Sequence, residues 1–271
     1  MKVIRRRPSG PLEPFVAALV HYSGDQAAGR ETRVPDGRAQ LVLNLADDRT
    51  TCFDAAFTGA EHAGGAALCG PYTAPVGLDS AELRSVICVA FRPGGTYPFF
   101  PPAAGALAAP LHDLGDLWGR DGATLAERAR AAPTPHAALD VVERALLDHV
   151  VRPLRGDPVI AAAAAGLDGG AAVAAVSDRL GMSDRLLRRR FTERTGLAPK
   201  RYARTRRMQR LLAAVATAGG PVDWARAAAE HGFYDQAHLI HEFRAFTGGT
   251  PAAYRVRAGE PNHVLPEDRP V

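Results

Sequence analysis

Gly181–Tyr202 reads GMSDRLLRRRFTERTGLAPKRY, and the chain repeats its plan at Gly232–Tyr254, GFYDQAHLIHEFRAFTGGTPAAY. Phe191, Gly196, Pro199 and Tyr202 recur as Phe243, Gly248, Pro251 and Tyr254, each 52 positions later. Four residue types with distinct packing and backbone roles at one shared offset indicate a duplicated unit. Each copy predicts a glycine turn, a capped helix, a glycine stop and a proline that opens a further helix. That is a helix-turn-helix, present twice.

In the first copy Ser183 is a good N-cap, and the helix it starts buries Leu187 and Phe191, four residues apart. Its other face carries Arg185, Arg188 and Arg189 near the N-terminal end, where a helix lying in the major groove touches base edges. Arginine forks onto guanine O6 and N7. In the second copy Asp235 caps, while Leu239, Phe243 and Phe246 point inward. Gln236, Ala237, His238 and His241 remain on the outer face; glutamine pairs bidentately with adenine and alanine meets a thymine methyl. Between the copies, 199–216 predicts one proline-started helix, roughly 27 Å long at ~1.5 Å per residue. A spacer of that length sets two recognition helices near the ~34 Å repeat of successive major grooves.

Charge is distributed in keeping with such a partner. From Ala171 to Arg257 there are 16 Lys+Arg against 7 Asp+Glu, a net of +9, whereas the rest of the chain has 17 against 22, a net of −5. Local concentration of cations is what counterion release from a phosphate backbone requires. At 271 residues and 46% hydrophobic, the sequence is expected to form about two soluble domains. No apolar run approaches the ~18 residues needed to cross a bilayer, and prolines follow the basic N-terminus where a signal peptide would place its apolar core. A cytoplasmic location is expected, with no membrane partner. Cys52, Cys69 and Cys88 are far apart and never in a CxxC arrangement, so buried free thiols are expected rather than a disulfide framework or zinc knuckle.

The first half has a different texture. Gln40–Leu45, Ala66–Cys69 and Leu83–Phe91 (LRSVICVAF) read as strands, the last nearly continuous in apolar and β-branched character and therefore central. The proline-rich 97–110 reads as loop. Helices are expected over about 122–132 and 137–151. The second has a wide apolar face, which either covers the sheet or presents a stripe to a second subunit. The predicted fold is an α+β N-terminal domain, a small β-rich sheet or barrel followed by helices. An all-α C-terminal domain follows, with two helix-turn-helix subdomains joined by a long helix. Arg152-Pro153 and Gly156-Asp157-Pro158 mark the joint. The expected organisation is a sensor or dimerisation domain over 1–152, a DNA-binding domain over 157–257 and a loosely ordered tail over 258–271.

The double unit, and above all Gly232-Phe233-Tyr234-Asp235-Gln236-Ala237-His238 followed by Phe243, Gly248, Pro251 and Tyr254, resembles the DNA-binding domain of AraC/XylS-type bacterial transcription regulators. The N-terminal half resembles the sensor side of one branch of that family through Arg33-Val34-Pro35-Asp36-Gly37 and Phe91-Arg92-Pro93-Gly94-Gly95. The resemblance implies a bacterial, sequence-specific regulator of transcription, with base-contacting positions at Arg185, Arg188, Arg189, Gln236, Ala237, His238 and His241. Double-stranded promoter or operator DNA is the implied partner, joined by a small-molecule effector, a homodimer partner, and RNA polymerase if the protein is an activator. The alternatives are a ligand-independent regulator whose N-terminal half only dimerises, and an enzyme domain with a DNA-targeting tail.

Nothing in the sequence amounts to a catalytic constellation, and no cofactor is expected. His238 and His241 stand three apart on a helix, but no HExxH frame accompanies them, so no metal site is read there. Arg92-Pro93-Gly94-Gly95 lacks the lysine and serine of a phosphate loop and reads as a turn. Ser183 has no GxSxG context and is a cap, not a nucleophile.

Overall fold

A computed structural model describes residues 2–24, 29–100, 110–218, 222–254, 256–257 and 260–264. Its first half holds ten strands: β1 (Lys2–Arg6), β2 (Val16–Ser23), β3 (Arg30–Arg33), β4 (Gln40–Asn44), β5 (Arg49–Phe53), β6 (Ala60–Gly64), β7 (Ala66–Cys69), β8 (Val76–Asp79), β9 (Ser85–Phe91) and β10 (His112–Asp113). They form two antiparallel sheets, with β1-β2-β9-β4-β7-β10 in one and β3-β8-β5-β6 within the other. The expected central strand, β9, is flanked by β2 and β4. The proline-rich loop lies in part outside the described residues, at 101–109.

Side chains alternate across the first sheet because successive residues of a strand face opposite ways. Leu41, Leu43, Ile87, Val89 and Phe91 are buried together with Leu139, Val142 and Leu146. The last three belong to the helical layer: α1 (Leu114–Trp118), α2 (Arg120–Ala123), α3 (Leu125–Arg130) and α4 (Pro135–Asp148). Each such leucine contributes about 1.5–3 kcal/mol by leaving water. The wide apolar face of α4 therefore covers the sheet, and its edge is tied to β1 by Arg6, 2.6 Å from Asp140 and 2.8 Å from Glu143. The opposite faces of the same strands, carrying Gln40, Val42, Cys69, Cys88 and Ala90, line a cavity between the sheets.

Among the described residues of the second half there are six α-helices: α5 (Pro158–Asp168), α6 (Val173–Arg179), α7 (Asp184–Thr195), α8 (Pro199–Ala218), α9 (Trp224–Glu230) and α10 (Gln236–Thr247). Two separate cores result. Ile160, Leu167, Val176, Leu187, Phe191 and Tyr202 make one; Met208, Leu211, Leu212, Leu239, Phe243 and Phe246 make the other. The long helix α8 gives Tyr202 to the first and Met208, Leu211 and Leu212 to the second, as its apolar spacing predicts. Trp224 is half-buried and meets Phe243 edge-on at 5.9 Å, which makes it a core residue.

Two expectations for the chain beyond α10 need correction. The further helix that Pro251 was expected to open is a single 3-10 turn, Pro251–Ala253, followed by the short strand β11 (Val256–Arg257). The tail is not loose throughout: β12 (Glu260–Val264) pairs with β3, placing His263 opposite Arg33 and Val264 opposite Thr32. The second sheet therefore reads β11-β12-β3-β8-β5-β6. An edge strand with unpaired backbone groups accepts another strand even from a sequence poor in strand formers. Residues 265–271 of the tail lie outside the described residues.

Candidate nucleic-acid interface

The two copies of the repeat have the same local anatomy. Ser183 Oγ accepts from the Leu186 amide at 3.3 Å, and the Asp235 carboxylate accepts from the His238 amide at 2.7 Å. Both are N-caps, as expected. Both recognition helices end on a glycine in the left-handed region, Gly196 at φ +80° and Gly248 at φ +78°, which a side chain adopts only at a cost. Thr195 Oγ1 donates to the Phe191 carbonyl and Thr247 Oγ1 to the Phe243 carbonyl, each at 2.8 Å. Phe191 meets Tyr202, and Phe243 meets Tyr254, at the same 5.3 Å centroid distance. The threonine pair obeys the 52-residue offset too, and it was readable in the sequence immediately before the glycines of the two aligned copies.

Helix α8 holds both units through charged side chains. On the first side Asp168 accepts from Tyr202 Oη and from Arg206 Nε, both at 2.8 Å, while Arg210 donates to the Asp168 carbonyl at 2.7 Å. Burial, then the Asp168 carboxylate, pushes the Tyr202 hydroxyl above its ordinary range. On the second side Glu242 is only 7% exposed and receives a forked pair of bonds from Arg204, at 2.6 and 2.9 Å. Burial opposes the charge on Glu242, but Arg204 and Arg207 outweigh it and hold its carboxyl below the ordinary value. Arg207 also donates to the Gly232 carbonyl at 3.0 Å, so the turn before α10 is anchored to the same helix.

These bonds sort the arginines in a way the charge count cannot. Arg190 donates to Asp157 at 2.9–3.2 Å, and the Arg194 guanidinium lies 3.6 Å over the Tyr97 ring. With Arg204, Arg206, Arg207 and Arg210 they serve internal packing. Arg185, Arg188 and Arg189 are exposed on the outer face of α7, beside the half-exposed apolar side chain of Leu186. On α10, Gln236, Ala237 and His241 are exposed. His238 is half-buried: its Nδ1 accepts from the Tyr234 amide at 3.2 Å, and its ring sits edge-on to Phe233 at 5.8 Å. In its neutral form that bond leaves the proton on Nε2, the atom free to donate outward. The expected positions thus come together on two helix faces, with His238 doubling as a staple of its own turn.

One outward group was missed. Tyr234, immediately before the cap of α10, is 92% exposed. An aromatic ring this bare has no part in the core, and its placement beside a helix N-terminus was readable from Gly232-Phe233-Tyr234-Asp235. Among the described residues no group of three His, Cys, Asp or Glu side chains is placed to hold a metal ion.

Residues 176–257 match the family described as "Helix-turn-helix domain". The C-terminal region is an AraC-type helix-turn-helix domain. Ahead of this AraC-type domain, residues 4–110 match a family described as a domain of unknown function, DUF6597. No curated protein sequence matches the chain. Among solved structures the chain is similar to ToxT from Vibrio cholerae, at 11% identity and a TM-score of 0.44, covering 86% of this chain and 96% of that one. It is also similar to ToxT from strain O395 bound to (E)-4-(8-methylnaphthalen-1-yl)but-3-enoic acid (10%, TM-score 0.45, 86% and 95%). A third is unsaturated fatty acid-bound wild-type ToxT from strain SCE256 (10%, TM-score 0.41, 85% and 91%). The roles of the residues around the AraC-type domain's two helices rest on this chain's own geometry.

Proposed function

We propose that the protein is a sequence-specific, DNA-binding regulator of bacterial transcription whose helices α7 and α10 enter successive major-groove segments of one duplex. The observation that carries this is the pair of identically capped helices, each pinned by its inner face to α8 and each leaving its outer face bare. Arg185, Arg188 and Arg189 supply the charge-rich reader, and Gln236, Ala237, His238 and His241 the more discriminating one. At 20 residues, α8 is about 30 Å long, close to the ~34 Å groove repeat. Tyr234 joins the contact at the edge of the second helix.

The protein acts by binding rather than by catalysis, and it works in the cytoplasm, where its DNA lies. Residues 1–152 form the sensing or dimerising half, 157–257 the DNA-binding half. No helix of the described residues is long and apolar enough to cross a membrane. The cavity between the sheets favours a sensing role over a purely dimerising one.

Gel shifts with the DNA upstream of the protein's own gene test this. Binding should weaken steeply with salt, because each neutralised phosphate adds about −0.9 to the slope of log K against log salt. Arg188→Ala should lower affinity and reduce that slope by about one, while Gln236→Ala should relax base preference at one position by about 1–3 kcal/mol. Unchanged binding by both variants would sink the proposal.

A further inference from the structure

The two cores of the DNA-binding half are built differently. Among the described residues, the apolar side chains of the first core all lie between Ile160 and Ala203, within its own unit. The second core draws on two valines from elsewhere. Val34 is fully buried in one cluster with Met208, Leu211, Leu212 and Phe243, and Val264 of β12 packs half-buried against the same cluster. The repeat accounts for the difference. Pro199 opens the 20-residue helix α8, whereas Pro251 opens only the turn Pro251–Ala253. The second copy thus ends without a long helix to close its core, and Val34 and Val264 cover it instead.

One strand pairing holds both valines in place. The chain leaves the second core at Tyr254, which meets Phe243 at 5.3 Å, and returns as β12, antiparallel to β3 of the N-terminal half. The Val34 amide donates to the Asn262 carbonyl at 2.8 Å. The residue whose side chain enters the second core is therefore tied by its backbone to the tail. In this register Val34 and Val264 share the face turned to α8, while Glu31 and His263 share the opposite one. There His263 Nδ1 lies 3.2 Å from Glu31 Oε2, on a side chain that is wholly buried. A carboxylate taken out of water is costly unless it is hydrogen-bonded. A slip of one residue would turn His263 away from Glu31 and Val264 away from the core, so both faces select one register.

The stretch after Val34 continues along α8. The Pro35 and Asp36 carbonyls accept from Gln209 and Arg206 at 2.8 and 3.2 Å. Gly37, at φ +74°, passes so close that a methyl there would stand 3.4 Å from Tyr202 and from Thr205. The first unit meets the N-terminal half through side chains instead, with Arg38 3.6 Å from Asp168 and Arg194 over the Tyr97 ring. The outer faces of α7 and α10 stay bare in this arrangement, with Arg185, Arg188, Arg189, Gln236 and His241 all exposed. The fastening therefore leaves both readers open to DNA.

We infer that the tail strand β12 and Val34 are positioning elements for the second reader: their pairing completes the core beneath α9 and α10 and fixes how α10 is presented to DNA. Base discrimination by α10 then depends on the clasp between β12 and β3, and the grip of α7 does not. The consequence for base reading rests on the DNA-binding function proposed above; the completion of the second core rests on packing alone. A chain end is ordered only where something ties it down, and here the tie joins the last strand of the chain to the sheet of its first half.

Hydrogen exchange without DNA tests the packing, on wild-type protein, a chain truncated after Arg257, and the full-length variants Val264→Asp and Val264→Ile. Protection over α9 and α10 should fall about tenfold in the truncated chain and in Val264→Asp, as expected for losing a half-buried valine. Protection over α6 and α7 should stay at the wild-type level, and Val264→Ile should behave as wild type. If the truncated chain fails to fold, Val264→Asp and its conservative counterpart carry the test. Anisotropy titrations with a bound genomic duplex, changed one base at a time, then test the reading. Val264→Asp should lose about tenfold of its discrimination in the segment under α10 and keep it in the segment under α7. Unchanged protection of α9 and α10, an equal loss over α6 and α7, or discrimination falling alike in both segments would overturn the proposal. Because the exchange measurement contains no DNA, its failure leaves the DNA-binding role standing, and a wild-type protein that binds no DNA leaves the exchange result to judge the clasp.

Discussion

Replacing Glu242 with glutamine should loosen one helix-turn-helix unit and spare the other. Glu242 is 7% exposed and carries the forked bonds from Arg204 together with a 3.7 Å approach of Arg207. Glutamine keeps the size and one acceptor oxygen but removes the charge that both arginines face. Breaking a fully buried pair costs about 3–5 kcal/mol; the Arg204 side chain is 41% exposed, so water compensates in part and the loss falls to about 1.5–3 kcal/mol. Hydrogen exchange of the full chain should show that loss over α9 and α10, with α6 and α7 keeping their protection. The effect also has a pH signature. The folded carboxyl lies below its ordinary value of 4.5, so its stabilisation is complete above that value and is lost as pH falls through the folded one. Wild-type and Glu242→Gln proteins should therefore converge in stability once the pH has fallen below the folded carboxyl's depressed value. Equal loss of protection in both units, or no loss at pH 7, would refute the role of Glu242 as the pin of the second unit.

Gly196→Ala and Gly248→Ala should each cost about 1–2 kcal/mol, because both positions are left-handed, and thermal unfolding should show matched losses. Tyr202→Phe removes the 2.8 Å bond to Asp168 and should cost about 1.5 kcal/mol in urea unfolding. Tyr234→Ala should leave the unfolding midpoint unchanged, since the ring is bare, and should weaken DNA binding by about 1 kcal/mol in anisotropy titrations.

The recognition helices were legible from their ends: Ser183 and Asp235 start α7 and α10, and Gly196 and Gly248 stop them, because serine, aspartate and glycine at these positions impose local geometry whatever the tertiary context. The first half was legible where apolar residues run together, as in Gln40–Asn44, Ala66–Cys69 and Ser85–Phe91. β6 (AEHAG) and β8 (VGLD) carry no periodic signal, and β2 (VAALVHYS) is as compatible with a helix by pattern as with a strand. They are strands because neighbours in the sheets pair with them. The same holds for the tail, where β12 is held by the edge of β3 and not by its own composition. At the interface, charge pattern found the outward arginines, while the internal duties of Arg190, Arg194 and Arg204 depend on acids and rings more than 30 residues away. The cavity was illegible for the same reason: only strand order brings Cys52, Cys69, Cys88 and Arg33 together.

Nuclease footprinting on a bound genomic site, with wild-type protein and with Arg188→Ala and Gln236→Ala, tests the central claim most directly. Two protected major-groove segments about one helical turn apart are predicted, with the arginine variant weakening one and the glutamine variant changing base preference only in the other. A single protected segment, or two variants acting on the same segment, would contradict the presence of two readers on one helix.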